Sequence, residues 1–364
     1  MAQNPATWIP HPTRWQELVA TGLLVIPTPE RVRYLRELRR AIRNWPALLP
    51  LRLGVGGSAT LKLSDGSSAA VDSQALARFL MDDPRLWRAR FDNYRRSAPI
   101  VQGEGYVGMR LDPAAFPGVS GRDGGDAPDV RLWYDSDSQW VNCVDSLWVH
   151  FIAAGGAGPG LYSSVDVRQR DVVDVGANIG DSALFFAARG ARHVYAFEPF
   201  PSTFRLAQRN VERSRFRDRI TLLNEGCSAE DGSVTLGAES GGTLWNNLVD
   251  SEGAERIPVS SLSTIVDRFD LHDAVLKSNC EGYEYPLLLG ASEATRRRFG
   301  QMTIEYHYGC SVLVRRLRAD GFLVDYTRPR LFRNPFSLFG DRMLAGSLWA
   351  TRARSSPELA NLAR

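Results

Sequence analysis

Residues 171–180 have the sequence DVVDVGANIG, and residues 193–199 have the sequence HVYAFEP. The first stretch is an apolar run, interrupted by Asp174, that ends at a glycine turn. A short apolar run bounded by turn residues is typical of a strand buried in a parallel sheet. The second stretch predicts another strand, which ends at Glu198 and Pro199. A helix fits between the two, so the pattern indicates a strand-helix-strand unit.

The same alternation continues toward the end of the chain. From about residue 165, apolar strands alternate with amphipathic helices, as in a parallel sheet covered by helices on both faces. We predict strands over 171–176, 193–199, 219–224, 273–279, 301–307, 321–327 and 346–352. We also predict helices over 181–190, 202–213 and 311–321, and a hairpin over 229–237. The last two strands are expected to be antiparallel to each other. The sequence therefore predicts an α/β fold with a Rossmann-like, seven-stranded doubly wound sheet.

Residues before about 160 follow a different pattern. We predict helices over 29–45, 73–95 and 139–153, a hairpin around Asp65 and Gly66, and strands over 106–111 and 130–135. The segment AAGGAGPG at 153–160 is a predicted linker. We therefore expect a smaller α+β N-terminal domain at 1–160, which helps to shape a substrate pocket, and a sheet domain at 161–355.

Composition limits the class of protein. The chain of 364 residues has 44 basic and 41 acidic residues, so its net charge of +3 does not require a polyanionic partner. The four cysteines are far apart and form no metal-binding spacing, which is typical of a reduced, cytoplasmic protein. No segment approaches the roughly 18 apolar residues of a membrane span. We expect no membrane or nucleic-acid partner and assign no metal, although Glu281, Glu305 and His307 are a set that could hold a divalent ion. Nothing in the sequence indicates an oligomeric state.

The glycine turn after the first strand is the first candidate for a binding site. In doubly wound sheets, ligands bind outside the carboxyl ends of the strands. The turn lacks the G-x-G-x-x-G spacing of a dinucleotide site. Asp174 and Asp181 beside it would repel a phosphate, but they suit a cofactor with a cationic end. The turn itself consists of Gly176, Ala177, Asn178, Ile179 and Gly180.

A carboxylate follows about twenty residues later. At the end of the second strand, Glu198 is placed to accept hydrogen bonds from two ribose hydroxyl groups. After the third strand, Ser228 lies where an adenine edge is expected. A glycine turn with acidic neighbours and a ribose carboxylate describes a site for S-adenosyl-L-methionine, which has amino and sulfonium groups.

Two stretches resemble a known family. Residues 171–210, DVVDVGANIGDSALFFAARGARHVYAFEPFPSTFRLAQRN, and residues 275–285, VLKSNCEGYEY, are similar to the FkbM-type methyltransferases. The resemblance covers roughly 165–330 and implies a class I methyltransferase fold with S-adenosyl-L-methionine as cofactor. Members of this family mostly methylate hydroxyl groups of sugars and natural products.

The resemblance also implies functional positions. It assigns cofactor binding to Asp174, Gly176, Asn178, Gly180 and Glu198. It places the family pattern LKxDxEGxE on Leu276, Lys277, Asn279, Glu281, Gly282 and Glu284. The sequence departs from the pattern at Asn279, where the family has aspartate, so a base or metal role of that aspartate is not carried over.

Lys277 is unusual because the chain has only two lysines among its 44 basic residues, the other being Lys62. An ammonium group is a compact donor, whereas a guanidinium is a planar fork. We expect Lys277 to act on the acceptor oxygen and Glu281 to neutralise the lysine and position the substrate. His307 is the expected general base, and Glu305 would orient it. The alternative is a structural ion pair of Lys277 with Glu281 and a His307 that only caps a strand.

These patterns predict an S-adenosyl-L-methionine-dependent enzyme that methylates a hydroxyl group on a sugar or another small, natural-product-like acceptor. One alternative is an RNA methyltransferase, in which the N-terminal half would bind nucleic acid. Another is a binding protein with a vestigial methyltransferase fold, for which Asn279 is the indication.

Overall fold

The computed structural model describes residues 36, 38–52, 57–72, 75–76, 79–80, 83–97, 100–119, 129–152, 162–236, 255–332 and 343–352. The predicted linker at 153–160 and much of the predicted helix over 29–45 lie outside the described residues. No helix among the described residues has the length and apolar character that crossing a membrane requires.

The N-terminal region combines short strands and helices. In chain order its main elements are α1 (Leu48–Arg52), β1 (Ser58–Lys62), β2 (Ser68–Asp72), α2 (Pro84–Ser97), β3 (Ile100–Gly103), β4 (Tyr106–Met109), β5 (Val130–Trp133) and α3 (Asp137–Ser146), followed by a π-helical turn at Leu147–Ile152. β1 and β2 form the predicted hairpin, and β3, β4 and β5 form an antiparallel sheet. Ser136 caps α3, since its side chain accepts a hydrogen bond from the backbone N–H of Gln139.

The C-terminal region contains the elements of the doubly wound sheet. They are β6 (Asp171–Val175), α4 (Asp181–Ala188), β7 (His193–Phe197), α5 (Pro201–Glu212), β8 (Ile220–Leu223), β9 (Gly226–Ser228), β10 (Gly232–Leu236), β11 (Glu255–Ser261), α6 (Leu262–Arg268), β12 (Ala274–Ser278), α7 (Glu284–Gly290), α8 (Glu293–Arg296), β13 (Phe299–Tyr306), α9 (Ser311–Ala319), β14 (Phe322–Tyr326), β15 (Arg330–Phe332) and β16 (Met343–Arg352).

Seven strands lie side by side in the order β14-β16-β13-β12-β6-β7-β8, and β15 pairs with β16. The five strands from β13 to β8 are parallel, whereas β16 is antiparallel to both β13 and β14. The predicted α/β class, the seven-stranded doubly wound sheet and the antiparallel closing strands are therefore confirmed. After β6 the chain builds the sheet first toward β7 and then toward β12. The switch point, where such sheets bind ligands, lies between β6 and β12.

The predicted hairpin over 229–237 is wrong. In the small sheet that β9, β10 and β11 form, β11 lies between the other two strands. The Asp231 carboxylate, between β9 and β10, accepts a hydrogen bond of 2.6 Å from the backbone N–H of Ser261. This bond holds the end of β11 beside the connection between β9 and β10. β11 therefore lies between these two strands, which a direct hairpin would have paired with each other.

Two apolar cores cover the two faces of the central sheet. Val172 and Val275 belong to one core, whereas Val173 and Leu276 belong to the other, because successive side chains of a strand point to opposite faces. The first core also contains residues of the N-terminal region, among them Trp140. A third core, formed by residues of the range 38–89, is separate. Residues on both sides of the predicted boundary at 160 therefore share a core.

Candidate functional site

The candidate site lies where four parallel strands end at the same edge. β6, β7, β12 and β13 are adjacent and parallel, so their carboxyl ends coincide. The residues that directly follow these strands are Gly176, Glu198, Asn279 and His307. All four are sequence-predicted site residues, and the sheet brings them to one edge at its switch point.

The glycine turn is folded tightly against β7 and β12. The backbone N–H groups of Gly176 and Ala177 both donate to the carbonyl oxygen of Phe197, at 3.0 and 2.9 Å. Gly176 has a φ of +77°, and a Cβ atom there would lie 1.9 Å from the carbonyl oxygen of Asn279. Glycine is therefore required at position 176 by its positive φ and by the close approach of the backbone after β12. Gly180 also has a positive φ, of +82°, where it caps α4.

Glu198 is buried and its carboxylate is fixed on the glycine turn. One oxygen, Oε2, accepts a hydrogen bond of 2.9 Å from the backbone N–H of Asn178. The other oxygen, Oε1, accepts one of 3.0 Å from the backbone N–H of Phe200. The two positions that the sequence assigns to the same cofactor, the turn and the carboxylate, are thus in direct contact.

Lys277 is 1% exposed, and three oxygen atoms surround its ammonium group. The Nζ atom lies 2.8 Å from Oδ1 of Asp174. It also donates to the carbonyl oxygens of Val175, at 3.2 Å, and Gly176, at 2.6 Å. The compact ammonium group donates to two carbonyl oxygens and also lies in ion-pair contact with a carboxylate, an arrangement that the planar fork of a guanidinium does not match. This environment explains why the position is lysine in a chain whose basic residues are nearly all arginine.

The expected contact between Lys277 and Glu281 is wrong. Lys277 is the register partner of Asp174 in the pairing of β12 with β6, so their side chains emerge on the same face of adjacent strands. The ammonium group is occupied by Asp174 and by the carbonyl oxygens of Val175 and Gly176. We conclude that Lys277 stabilises the turn.

The two aspartates expected beside a cationic ligand both have partners within the protein. Asp174 is fully buried between Lys277 and Ser182, whose hydroxyl donates to Oδ2 at 2.7 Å. An Oδ2 atom of Asp181 lies 2.8 Å from Nε2 of His150. Burial alone would raise the pKa of Asp181, but the hydrogen bond and charge of His150 lower it below its ordinary value. Asp181 therefore remains ionised beside the turn, whereas Asp174 supports the turn through Lys277.

His307 is buried between two carboxylates. Its Nδ1 atom lies 2.9 Å from Oε1 of Glu284, and its Nε2 atom lies 3.4 Å from Oε1 of Glu281. Glu284 also accepts from the backbone N–H of Gly282, at 2.9 Å, and of His307, at 3.0 Å. Burial would lower the pKa of His307, but the two carboxylates raise it well above its ordinary value.

This geometry corrects two expectations. Glu284, and not Glu305, orients the imidazole of His307. A general base must be deprotonated before it can accept a proton, whereas these carboxylates favour the protonated form of His307. The ring therefore links Glu281, at the turn after β12, to α7, which begins at Glu284.

Asn279 is matched to Glu305 on the adjacent strand. Its side-chain amide Nδ2 donates to Oε2 of Glu305 at 2.8 Å and lies 3.5 Å from the hydroxyl of Tyr162. An aspartate at position 279 would instead place two carboxylates in contact. Burial raises the pKa of Glu305, with further contributions from Glu281 and Glu284, and the positive charges of His307 and Lys277 oppose them. The asparagine that departs from the family pattern thus has a defined partner.

Ser228 lies at the end of β9, where its register partner is Ser261 of β11. At the start of the same strand, a Cβ atom on Gly226 would be 3.7 Å from the Cβ atom of Pro199. β9 therefore begins beside the residue that follows Glu198, and Ser228 lies two residues further along. Among the described residues, no group of three or more His, Cys, Asp or Glu side chains is arranged to hold a metal ion.

Sequence reasoning missed three site residues that precede β6. Asn142 exchanges hydrogen bonds with Asn178, His150 pairs with Asp181, and the ring of Tyr162 lies 5.5 Å from Nζ of Lys277. One signal was available, because Asn142, Ser146 and His150 are spaced four residues apart among apolar neighbours. Such spacing places polar groups on one face of a helix.

The family model of the methyltransferase FkbM domain matches residues 174–322. A crystal structure of a methyltransferase FkbM from Methylobacillus flagellatus is similar at 17% identity and a TM-score of 0.36, over 52% of this chain and 46% of that chain. The chain thus spans less than half of that protein's length. No protein with a curated description matches the chain.

Two other solved structures are similar over about half of the chain. A precorrin-6y C5,15-methyltransferase from Geobacter metallireducens has 14% identity and a TM-score of 0.29, with 59% of this chain and 89% of that chain covered. A putative RNA methyltransferase from Pyrococcus horikoshii has 15% identity and a TM-score of 0.31, with 57% and 81% covered. The expected resemblance is confirmed: residues 174–322 match the family model of the methyltransferase FkbM domain.

Proposed function

We propose that the protein is an S-adenosyl-L-methionine-dependent methyltransferase that methylates a hydroxyl group on a sugar or another small, natural-product-like acceptor. The observation that carries the proposal is the bond between the backbone N–H of Asn178 and the carboxylate of Glu198 at the sheet's switch point. It joins a glycine turn and an acidic strand end, the two elements that nucleoside cofactors require in such sheets.

The residues at this edge fit the cofactor by their chemistry. Glu198 offers a carboxylate for vicinal ribose hydroxyls, and Asp181 offers an ionised carboxylate beside the turn for a cationic end. The side-chain Oδ1 of Asn279 is a buried acceptor without a hydrogen-bond partner among the described residues. The bound cofactor would supply an electrophilic methyl group on sulfonium. Asp174, Gly176, Ala177, Asn178 and Gly180 would shape and hold the turn.

The acceptor side is assigned to the ends of β12 and β13. A hydroxyl group is a poor nucleophile until its proton is removed. Glu305 is partly exposed, and its pKa is raised by burial, so it is better suited than an ordinary glutamate to accept that proton. Asn279 orients the carboxylate through its hydrogen bond of 2.8 Å. Glu281, which is also partly exposed, is placed to position the acceptor.

The charge of this edge favours a small acceptor over RNA. Two carboxylates at the ends of β12 and β13, Glu281 and Glu305, are partly exposed. Phosphate groups would be repelled by such a surface, because proteins bind nucleic acid mainly through basic residues. The vestigial alternative rested on Asn279, which here has a specific partner in Glu305.

The test is the formation of S-adenosyl-L-homocysteine by the full chain with a panel of free sugars and glycosides, and separately with total RNA. Turnover that requires one of the small acceptors, and that falls at least about tenfold in Glu305→Gln, is expected. Glu212→Gln, an exposed change at the end of α5, is the matched control. Turnover with RNA alone would contradict the acceptor class, and binding of the cofactor without turnover on any acceptor would favour a binding protein.

A further inference from the structure

A buried polar stripe runs along α3 and the π-helical turn after it. Asn142, Ser146 and His150 are four residues apart, and all three side chains are buried. Their neighbours Val141, Val144 and Leu147 belong to the first apolar core. Buried polar groups are nearly always hydrogen-bonded, so this stripe must meet a polar surface.

That surface is the glycine turn and the residue that follows it. Nδ2 of Asn142 donates to Oδ1 of Asn178 at 3.2 Å, and Nδ2 of Asn178 donates back to Oδ1 of Asn142 at 3.0 Å. His150 pairs with Asp181 at 2.8 Å. Ser146 lies between them and donates to Oδ1 of Asn142 at 3.4 Å. The N-terminal region thus contacts the turn at Asn178 and the residue that follows the turn, Asp181.

Asn178 is the residue whose conformation decides the position of the turn. It has a φ of +48°, in the left-handed region that residues other than glycine rarely adopt. Its backbone N–H is the donor to Glu198. Because the amide pair with Asn142 fixes the Asn178 side chain, it also holds the backbone in this conformation and the N–H directed at the carboxylate.

We propose that Asn142 is a positioning residue of the cofactor site, which acts through Asn178 on Glu198. This inference rests on the proposed function, and it makes part of the region before residue 160 a component of the site. Asn142 lies outside the residues that the family model matches, so the contact belongs to this chain's own N-terminal region.

The experiment compares Asn142→Ala, Asn178→Ala and the double variant in the full chain. One readout is the Kd for S-adenosyl-L-homocysteine by calorimetry. The second, made without any ligand, is hydrogen exchange of the backbone amides of 176–180. Val144→Ala is the matched control, because Val144 is buried in the same helix and core but makes no amide contact with the turn.

We expect each single variant to raise the Kd about tenfold, equivalent to about 1.4 kcal/mol. The double variant should show about the same rise as Asn178→Ala alone, since that change already removes the amide pair. Exchange in the turn should accelerate in all three variants. Val144→Ala should lower the Tm and leave the Kd and the exchange of the turn unchanged.

Two results would overturn the proposal. One is unchanged exchange and Kd in Asn142→Ala. The other is a shift in Val144→Ala of the same size, because the effect would then reflect loss of stability alone. If the wild-type protein bound no ligand, the proposed function would fail, and the exchange measurement would still decide whether Asn142 holds the turn.

Discussion

Lys277 and Asp174 form a buried ion pair across adjacent strands, with 2.8 Å between Nζ and Oδ1. The same ammonium group binds the carbonyl oxygens of Val175 and Gly176, so the pair connects β12 to the start of the glycine turn. Lys277 is therefore a structural support of the candidate cofactor site. Its environment leads to the first prediction.

Lys277→Met should lower the free energy of unfolding by about 3–5 kcal/mol, because it leaves Asp174 charged and buried without its partner. Adding Asp174→Asn should restore part of this loss. Lys62→Met is the matched control, since Lys62 is the other lysine of the chain and lies exposed on β1; it should change stability by less than about 0.5 kcal/mol. Urea denaturation gives the free energy of unfolding of the wild type, the two single variants and the double variant. Equal losses from Lys277→Met and Lys62→Met would contradict the structural role.

Gly176→Ala tests the close approach of the turn to β12. Alanine would meet the carbonyl oxygen of Asn279, 1.9 Å from the added Cβ, as well as an unfavourable φ of +77°. Gly321→Ala shares the unfavourable backbone, with φ of +86°, but no atom lies within 4 Å of its Cβ. We expect Gly176→Ala to be less stable than Gly321→Ala by about 1–3 kcal/mol in urea denaturation. Similar losses of stability in both variants would mean that the close approach of Asn279 does not determine the cost of alanine at position 176.

Asn279→Asp would restore the residue of the family pattern. It removes the donor to Oε2 of Glu305 and places a second carboxylate beside it, so we expect a loss of about 1–3 kcal/mol at pH 8. The loss should shrink toward pH 5, because protonation of one carboxyl relieves the repulsion. It should also shrink when Glu305→Gln is added. A loss that does not depend on pH or on Glu305 would show that the two side chains do not interact.

The pH dependence of stability should report on His307. Its folded pKa lies well above 6.5, the ordinary value, so the folded protein binds more protons than the unfolded chain at higher pH. The stability that protonated His307 contributes to the fold is complete below about pH 6.5 and is lost as the pH rises through the folded pKa. The free energy of unfolding should therefore fall from pH 6.5 upward.

Glu281→Gln removes one of the two carboxylates that raise this pKa, so it should make the fall from pH 6.5 to 9 less steep. Glu293→Gln, an exposed change on α8, serves as the control and should keep the wild-type slope. Denaturation series at pH 6, 7, 8 and 9 give the slopes. Equal slopes for Glu281→Gln and wild type would show that Glu281 does not raise the pKa of His307.

The sheet could be predicted from the sequence because each of its strands is marked by local patterns. Buried parallel strands such as 171–175 are mostly apolar runs that end at glycine or acidic residues, and these signals do not depend on distant contacts. The same local signals located Gly176, Glu198 and Asn279 at strand ends, where the topology brings them together.

The partners of the charged residues could not be predicted in the same way. Lys277 pairs with Asp174, 103 positions earlier in the chain, because β12 lies beside β6. Spacing along the chain favoured Glu281 instead, which the turn after β12 directs to His307. The contact of Asn142 with Asn178 depends on how α3 packs against α4, which neither segment encodes alone.

Calorimetry with S-adenosyl-L-methionine and S-adenosyl-L-homocysteine tests the central claim most directly, that the turn after β6 and Glu198 form a nucleoside cofactor site. We predict saturable binding of both to the folded wild-type chain, at least about tenfold weaker in Glu198→Gln and unchanged in Glu212→Gln, with no binding of NAD. Absence of heat with either nucleoside, or equal affinity in wild type and Glu198→Gln, would contradict it.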